Sequence, residues 1–226
     1  MDISEEANSY DAAFSIEAMC HAPNKTRAFS EVYRILRTGS LFAGYDWCIT
    51  DDFDLSREDH MQIKKRIMLG NALPDIATTH AVCQSLKESG FEMIDSSDLA
   101  PTADPGYPWH RALQGRDLTW KSIPCTPIGR ILTNSSLQIA ESLRLIPKGI
   151  RDVSSFLNSG ADTLVAGRDQ NIFTPMFFFL ALSLKKVLRN FDCTFRSSNV
   201  YPIRVSHLRY HLGVRVNALT FVNGLI

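Results

Sequence analysis

Short apolar runs and segments with helical spacing alternate along the first fifty residues. Residues 10–16 form a mostly apolar run without a helical stripe, which is typical of a parallel strand covered on both faces. Asn24 can cap a helix, whose apolar face is formed by Ala28, Val32, Ile35 and Leu36. Gly39 suits the left-handed position beyond the end of that helix. Residues 41–47 then predict a second strand, so the whole segment predicts one right-handed β-α-β crossover.

The next segment predicts a second helix–strand step. Residues 57–69 are charged and amphipathic, and the glycine, asparagine and proline within 70–74 end that pattern. A helix at 81–89 follows two threonines that can cap it, and Gly90 closes it. Residues 91–94 then begin another strand.

The second half of the chain is predicted to contain two helices and one long strand. Residues 101–108 are rich in proline, glycine and aspartate, which favours a domain boundary there. Helices are predicted at 128–145 and 153–165, and the apolar run 173–182 predicts a buried strand. Together with the crossover, these elements predict an α/β fold built on a doubly wound sheet.

Composition narrows the class of protein without naming a partner. Hydrophobic residues make up 45% of the 226 residues, which is enough for a packed core, and 24 basic residues balance 24 acidic ones. This balance produces no whole-chain field that favours nucleic acid. The five cysteines are scattered without a C-x-x-C pair, which argues against a disulfide framework or a zinc site and favours a reducing compartment.

The sequence predicts neither a secretory signal nor a membrane-spanning helix. Residues 1–8 are acidic and polar, without the basic start and apolar stretch of a signal. The most apolar run, 173–184, has about twelve residues, whereas roughly 20 are needed to cross a bilayer.

The candidate chemistry lies where the first two strands end. Open α/β sheets bind ligands at the carboxyl ends of their strands, so the loop after the first strand and residues 45–47 should face one crevice. That loop holds the carboxylate of Glu17, the thiol of Cys20 and the imidazole of His21. Structural alternatives exist for each: Glu17 can accept helix N–H groups, His21 can be an ordinary hydrogen-bonded residue, and Cys20 can be a small buried side chain. The aromatic pair within 45–47 shares one strand face and can equally be core.

Three blocks near the amino terminus resemble one known family. Residues 15–23, S-I-E-A-M-C-H-A-P, resemble the I-E-A-T-C-H-A-P signature of the sterol 24-C-methyltransferases, with Met19 in place of threonine. E-V-Y-R-I-L-R at 31–37 and Y-D-W at 45–47 are similar to that family's E-V-Y-R-V-L-K-P-G-G and Y-E-W blocks. The family's proline and second glycine are replaced here, whereas Asp46 keeps the charge of the glutamate.

Later blocks resemble the same family in the same order. They are G-N-A-L-P-D-I at 70–76, S-D-L-A at 97–100, V-A-G at 165–167 and F-T-P-M at 173–176. The resemblance therefore covers roughly residues 10–182. It implies the C-terminal half of a Rossmann-like class I methyltransferase sheet at 1–100, followed by an α+β sterol-methyltransferase C-terminal domain at 101–183.

The family's glycine-rich, cofactor-binding start has no counterpart in this sequence. None of the twelve glycines forms a G-x-G. The resemblance therefore implies an N-terminally truncated chain that lacks half of the cofactor pocket and has little or no activity alone. Residues 184–226 match no block of the family and are basic. They are expected to be a disordered tail, with binding of nucleic acid or anionic lipid as the alternative.

The resemblance implies methyl transfer from S-adenosylmethionine to the side-chain double bond of a sterol, in sterol biosynthesis. The alkene attacks the sulfonium methyl group, and the resulting carbocation rearranges and loses a proton. Aromatic faces stabilise cations by roughly 0.5 to 2 kcal/mol each, and a carboxylate or imidazole takes the proton. The implied catalytic residues are Glu17, His21, Tyr45, Trp47 and Asp98. The implied cofactor-binding residues are Ile16, Glu17 and Ala18, and no metal is implied.

Alternatives remain for the base, the substrate and the role. Either Glu17 or His21 can be the base, and the departures from the signature leave another terpenoid or small molecule as an alternative substrate. A non-catalytic module that binds a sterol or a full-length paralogue through an unfinished sheet edge is a further alternative. The resemblance places the enzyme at the endoplasmic reticulum or lipid-droplet surface, and is compatible with peripheral membrane association and a homo-oligomer. No nucleic-acid partner is expected.

Overall fold

One five-stranded sheet organises the protein, seen in a computed structural model that describes residues 2–102, 106–115, 126–185 and 218–222. The strands are β1 Tyr10–Ile16, β2 Leu36–Ile49, β3 Phe91–Asp98, β4 Phe173–Ser183 and β5 Ala218–Val222. The helices are α1 Lys25–Ile35, α2 Glu58–Gly70, α3 Thr79–Glu88, α4 Pro127–Ser142 and α5 Ile150–Asp169. The strand order is β3-β4-β2-β1-β5, and the sheet is mixed because β4 runs antiparallel to β2 and β3.

The predicted β-α-β crossover is confirmed. β1 and β2 are parallel neighbours, with Ile16 opposite Tyr45, and α1 connects them. Asn24 caps α1 because its side chain accepts a hydrogen bond from the backbone N–H of Arg27 at 2.9 Å. The apolar positions of α1 are buried against the sheet.

The role predicted for Gly39 was wrong. α1 already ends at Ile35, and Leu36 is extended and fully buried as the first residue of β2. Gly39 has φ +84° within β2, in the segment where the register against β1 shifts between Tyr10 and Ala12. The glycine therefore permits a bulge in the strand instead of a helix cap, because burial of Leu36 draws the chain into the sheet directly.

An aromatic core fills one face of the sheet, under α1 and α3. Phe29, Phe42 and Phe179 are fully buried, and their rings meet edge to face with centroids 5.1 to 6.0 Å apart. Gly44 permits a close approach in this core. A Cβ atom there would lie 2.6 Å from the Phe179 ring and 2.8 Å from the Ser15 carbonyl oxygen. Any side chain at position 44 would therefore force the ring or the strands to shift.

A second apolar cluster closes the carboxyl end of β2, where α2 and α5 pack. Ile49, Ile67 and Phe173 are buried in it. The two helices approach closely at Gly70 and Gly160, since a Cβ atom on Gly70 would lie 3.1 Å from the Gly160 Cα. This cluster forms the floor beside the candidate site described below.

The other predicted helices and strands are confirmed with different ends. α3, α4 and α5 begin and end within a few residues of their predicted bounds, and α2 occupies the segment that was described as charged and amphipathic. β3 continues to Asp98, beyond the predicted 91–94, because its pairing with β4 extends to the pair Asp98 and Phe177. In the part of the chain that the structure describes, no helix is long and apolar enough to span a bilayer.

The outer edge of β1 is occupied by β5. Residues 218–222 run parallel to β1, from Ala12 opposite Ala218 to Ile16 opposite Val222. The alternative of a module that binds through an unfinished sheet edge therefore does not find that edge at β1. The rest of the basic segment, 186–217 and 223–226, lies outside the described residues, so its predicted disorder and its alternative binding roles stay predictions.

Candidate active site

The carboxyl edge of the sheet brings together the predicted site residues of β1 and β2. Ile16 lies opposite Tyr45, and the Glu17 N–H donates to the Tyr45 carbonyl oxygen at 3.0 Å. The direction of the strand order also reverses at β1. The next strand in the chain, β2, lies on one side of β1, and β5 lies on the other side. Open α/β sheets bind ligands at such switch points. The loop after β1 and the end of β2 therefore border one edge, as predicted.

Glu17 occupies a strained position immediately after β1. Its φ of +49° lies in the left-handed region, which costs a non-glycine residue about 1 to 2 kcal/mol. The chain then turns through a short 3₁₀ helix, Met19–His21. Glu17 and Ala18 are partly buried, whereas His21 is exposed. The fold therefore holds Glu17 against the sheet and leaves His21 at the surface.

Asp46 is a buried carboxylate. From the sequence it was noted only as the residue that replaces the glutamate of the family's Y-E-W block. It is 2% exposed and accepts a hydrogen bond from the Trp47 N–H at 3.0 Å. Burial raises the pKa of Asp46 to about 6. The Glu17 charge also raises it, whereas the nearby Cys20 side chain, the hydrogen bond from the Trp47 N–H and the charge of Lys25 lower it. One signal in the sequence could have indicated this burial. Asp46 lies between two aromatic residues on a strand, so its side chain faces the opposite side of the sheet from theirs.

Cys20 is a buried thiol, 1% exposed, whose Sγ donates to the Glu17 carbonyl oxygen at 3.4 Å. Burial, and then the Asp46 carboxylate, raise the pKa of this thiol. A protonated thiol is a poor nucleophile, which supports the structural alternative for Cys20. Within the described ranges, no group of three His, Cys, Asp or Glu side chains is placed to hold a metal ion.

Asp46→Asn is expected to stabilise the protein at neutral pH. The pKa of Asp46 is raised in the folded state, so wild-type stability should fall as the pH rises from about 4 to 6, by up to about 3 kcal/mol. The amide has no such charge to bury. Urea unfolding at several pH values should therefore show a difference between variant and wild type that is near zero at pH 4 and greatest above pH 6. The exposed control, Asp95→Asn, should show no such pH-dependent difference. Lower stability of Asp46→Asn at pH 7 would contradict the assignment.

Tyr45 and Trp47 share one strand face and are both partly buried. Burial, followed by the Glu17 charge, raises the pKa of Tyr45. Trp47 packs edge to face on Phe173 at 5.5 Å, and Phe173 meets Trp109 at 6.0 Å. The Trp47 Nε1 is buried, and no hydrogen-bond partner for it occurs among the described residues. Tyr45 therefore lies beside Glu17, whereas Trp47 also belongs to a core cluster. Their role as cation supports stays a prediction.

The structure does not bring Asp98 to Glu17. Asp98 and Asp46 pair with the same residue of β4, Phe177, so Asp98 lies three strand spacings from β1, about 14 Å away. Its carboxylate accepts hydrogen bonds from Thr174 Oγ1 at 2.6 Å and from the Ala100 N–H at 3.0 Å. These bonds support the turn or cap role that is usual for a loop aspartate.

A cleft of 480 Å³ lies at the same end of the sheet, beside Asp98. Residues that line it include Asp98, Trp109, His110, Arg168, Asn171 and Phe173. Trp109, His110, Arg168 and Asn171 lie outside the family blocks, so motif comparison missed them. Trp109 and His110 come from a loop, whereas Arg168 and Asn171 lie at the end of α5 and just beyond it, where α5 packs near β4.

The fold and this edge define the class of protein. A solved geranyl diphosphate methyltransferase, in complex with GPP and sinefungin, has a TM-score of 0.52 at 11% identity, over 81% of this chain and 50% of that one. Phosphoethanolamine N-methyltransferase 2 from Haemonchus contortus has a TM-score of 0.51 at 18% identity, over 80% of this chain and 35% of that one. The chain is therefore part of a Rossmann-like methyltransferase fold.

Sequence comparison narrows the class to a family. A methyltransferase domain model matches residues 1–44, and a sterol methyltransferase C-terminal model matches residues 120–182. Cycloartenol-C-24-methyltransferase of Arabidopsis thaliana is 44% identical over 174 residues, which are 77% of this chain and 51% of the relative. Sterol 24-C-methyltransferase of Saccharomyces cerevisiae is 35% identical over 191 residues, 80% of this chain and 49% of the relative. The resemblance to the sterol 24-C-methyltransferases is confirmed, and the chain spans about half the length of these relatives.

Proposed function

We propose that this chain supplies the substrate-facing part of a sterol C-methyltransferase, which transfers a methyl group from S-adenosylmethionine to the side-chain double bond of a sterol. The observation that carries the proposal is the position of Glu17 at the switch point of a methyltransferase-type sheet: its backbone N–H bonds to the Tyr45 carbonyl oxygen, and its charge raises the pKa of Tyr45. The two family matches, in their expected order along the chain, support the same reaction.

The residues present fit one wall of a cofactor pocket. Ile16, Glu17 and Ala18 lie at the switch point, and Ala18 also borders an apolar cavity of 260 Å³ with Met19, Ala28 and Val32. An apolar wall beside a carboxylate suits an adenosyl group that carries a cation. S-adenosylmethionine, when bound, supplies the electrophilic methyl group. The other wall has no glycine-rich counterpart in this sequence.

Glu17 is the better candidate for the base. It is partly buried and borders Tyr45, whereas His21 is exposed. A carboxylate at that edge can take the proton that the sterol cation loses, and the face of Tyr45 can stabilise the cation before it does so. Trp47 can extend this aromatic lining towards Phe173.

A chimera tests the proposal. The part of the Arabidopsis relative that precedes its matched region is joined to this chain, and methyl transfer from labelled S-adenosylmethionine to cycloartenol is measured. We expect transfer by the chimera and none by the chain alone. Calorimetric titration with S-adenosylmethionine should show saturable heat only for the chimera. A folded chimera that binds the cofactor but methylates no sterol would overturn the proposal.

The same assay settles the substrate class. A panel of sterols and shorter terpenoids, with geranyl diphosphate among them, should give transfer to sterols only. Transfer to the shorter terpenoids alone would favour the small-molecule alternative. The resemblance to the sterol 24-C-methyltransferases, whose substrates dissolve in membranes, supports a location at endoplasmic reticulum or lipid-droplet surfaces.

A further inference from the structure

The hairpin of α4, its connecting turn and α5 exposes large apolar side chains along α4, the turn and the first half of α5. On α4 and at its C-cap they lie on one helical face, at Ile128, Leu132, Ile139 and Leu143, and are 60 to 72% exposed. On α5 they recur at helical spacing, at Ile150, Val153, Phe156 and Leu157. In the turn between the helices, Leu145 is 73% exposed. Isolated exposed leucines are ordinary, but a continuous series of this kind marks an interaction surface.

The polar positions in the middle of each helix are uncharged. Residues 131–140 of α4 and 153–161 of α5 contain no charged residue. Serine, threonine, asparagine and glutamine occupy the positions between the apolar ones. Helices that lie in a lipid interface combine an apolar face with a polar face, and Lys and Arg on the polar side strengthen binding to anionic lipids.

Positive charge is concentrated at the tip of the hairpin. Arg144 and Lys148 are exposed, and neither forms an ion pair within the described ranges. No acidic residue occurs between Glu141 and Asp152. At the tip, bulky apolar side chains therefore alternate with cations that form no ion pair within the described ranges. This pattern is complementary to a lipid bilayer, which has anionic headgroups over an apolar interior.

We infer that the α4–α5 hairpin docks on anionic lipid bilayers, with Leu143 and Leu145 between the lipid headgroups and Arg144 and Lys148 against their phosphates. This goes beyond the proposed methyl transfer, because the docking needs neither cofactor nor sterol. It assigns a surface and a lipid class to the contact with membranes.

Vesicle flotation tests the inference. The full chain is mixed with sterol-free vesicles of phosphatidylcholine, with or without phosphatidylserine, and the bound fraction is measured. Binding to the phosphatidylserine vesicles should fall at least tenfold in the double variant Leu143→Asp/Leu145→Asp. The matched control is Leu55→Asp, which alters a 76% exposed leucine outside the hairpin and should bind like wild type. Arg144→Gln/Lys148→Gln should lose the preference for phosphatidylserine, at about fivefold for each charge.

Two outcomes would overturn the inference. One is a folded wild-type chain, verified by circular dichroism, that stays unbound on both vesicle types. The other is a protein interface: the leucine double variant would change the oligomeric state in solution while vesicle binding stays at the wild-type level. Neither outcome bears on methyl transfer by the chimera, so the two proposals fail separately.

Discussion

Replacing Glu17 with glutamine in the active chimera is expected to lower the rate of methyl transfer by about 10² to 10⁴, the usual contribution of a positioned base. The amide keeps the size of the side chain but cannot accept the proton from the sterol cation. Its effect should fall on kcat, with little change in the affinity for S-adenosylmethionine measured by calorimetry. Steady-state rates with cycloartenol as the substrate measure kcat.

The control for this prediction is His21→Gln, the rival base. Because His21 is exposed, whereas Glu17 is partly buried and its backbone N–H bonds to the Tyr45 carbonyl oxygen, the histidine variant should keep a rate within a few-fold of the parent chimera. The opposite ranking, with the histidine variant impaired and the glutamine variant at position 17 active, would move the base to His21. Equal and small effects would remove both residues from proton transfer.

Phe179→Ala should destabilise the protein by about 3 to 5 kcal/mol, the usual cost of removing a buried phenylalanine. Phe179 is fully buried, and its ring meets Phe29 and Phe42 edge to face. It also packs over Gly44, where the backbone has no side chain that could fill the space. A cavity therefore remains in the middle of the sheet, and the loss should appear as a lower urea midpoint with an unchanged slope.

The matched control is Phe156→Ala, which removes the same side chain from a site 48% exposed on α5. It should change stability by about 0.5 kcal/mol or less, because little burial is lost. A loss for Phe179→Ala as small as that for Phe156→Ala would mean that the aromatic core under α1 is not the main source of stability.

The elements that the sequence predicted well are those decided by neighbouring residues. The crossover from β1 to β2 was visible because the apolar run and the helical stripe of α1 are local patterns, and because Asn24 caps the helix with its own side chain. The blocks at 15–23 and 45–47 placed the candidate site at the ends of these strands, and the pairing of Ile16 with Tyr45 agrees with that placement.

Other features were decided by residues far apart in the chain. Gly39 was assigned to a helix end because its neighbours suggested one, but the burial of Leu36 within the sheet starts β2 earlier. The raised pKa of Asp46 depends on how deeply the surrounding structure buries it. No local pattern contains that information, because burial depends on every element packed around the residue.

By itself, the sequence determined the α/β class, the crossover, the positions of the helices and the resemblance to the sterol 24-C-methyltransferases. These follow from periodicity, capping and short motifs, which act within one or two turns of chain. Only the tertiary structure decided that β4 lies between β2 and β3, that β5 covers β1, and that the apolar faces of α4 and α5 stay exposed. Strand order and side-chain exposure depend on contacts between segments that are far apart in the chain. Local sequence patterns do not indicate which distant segments pack together.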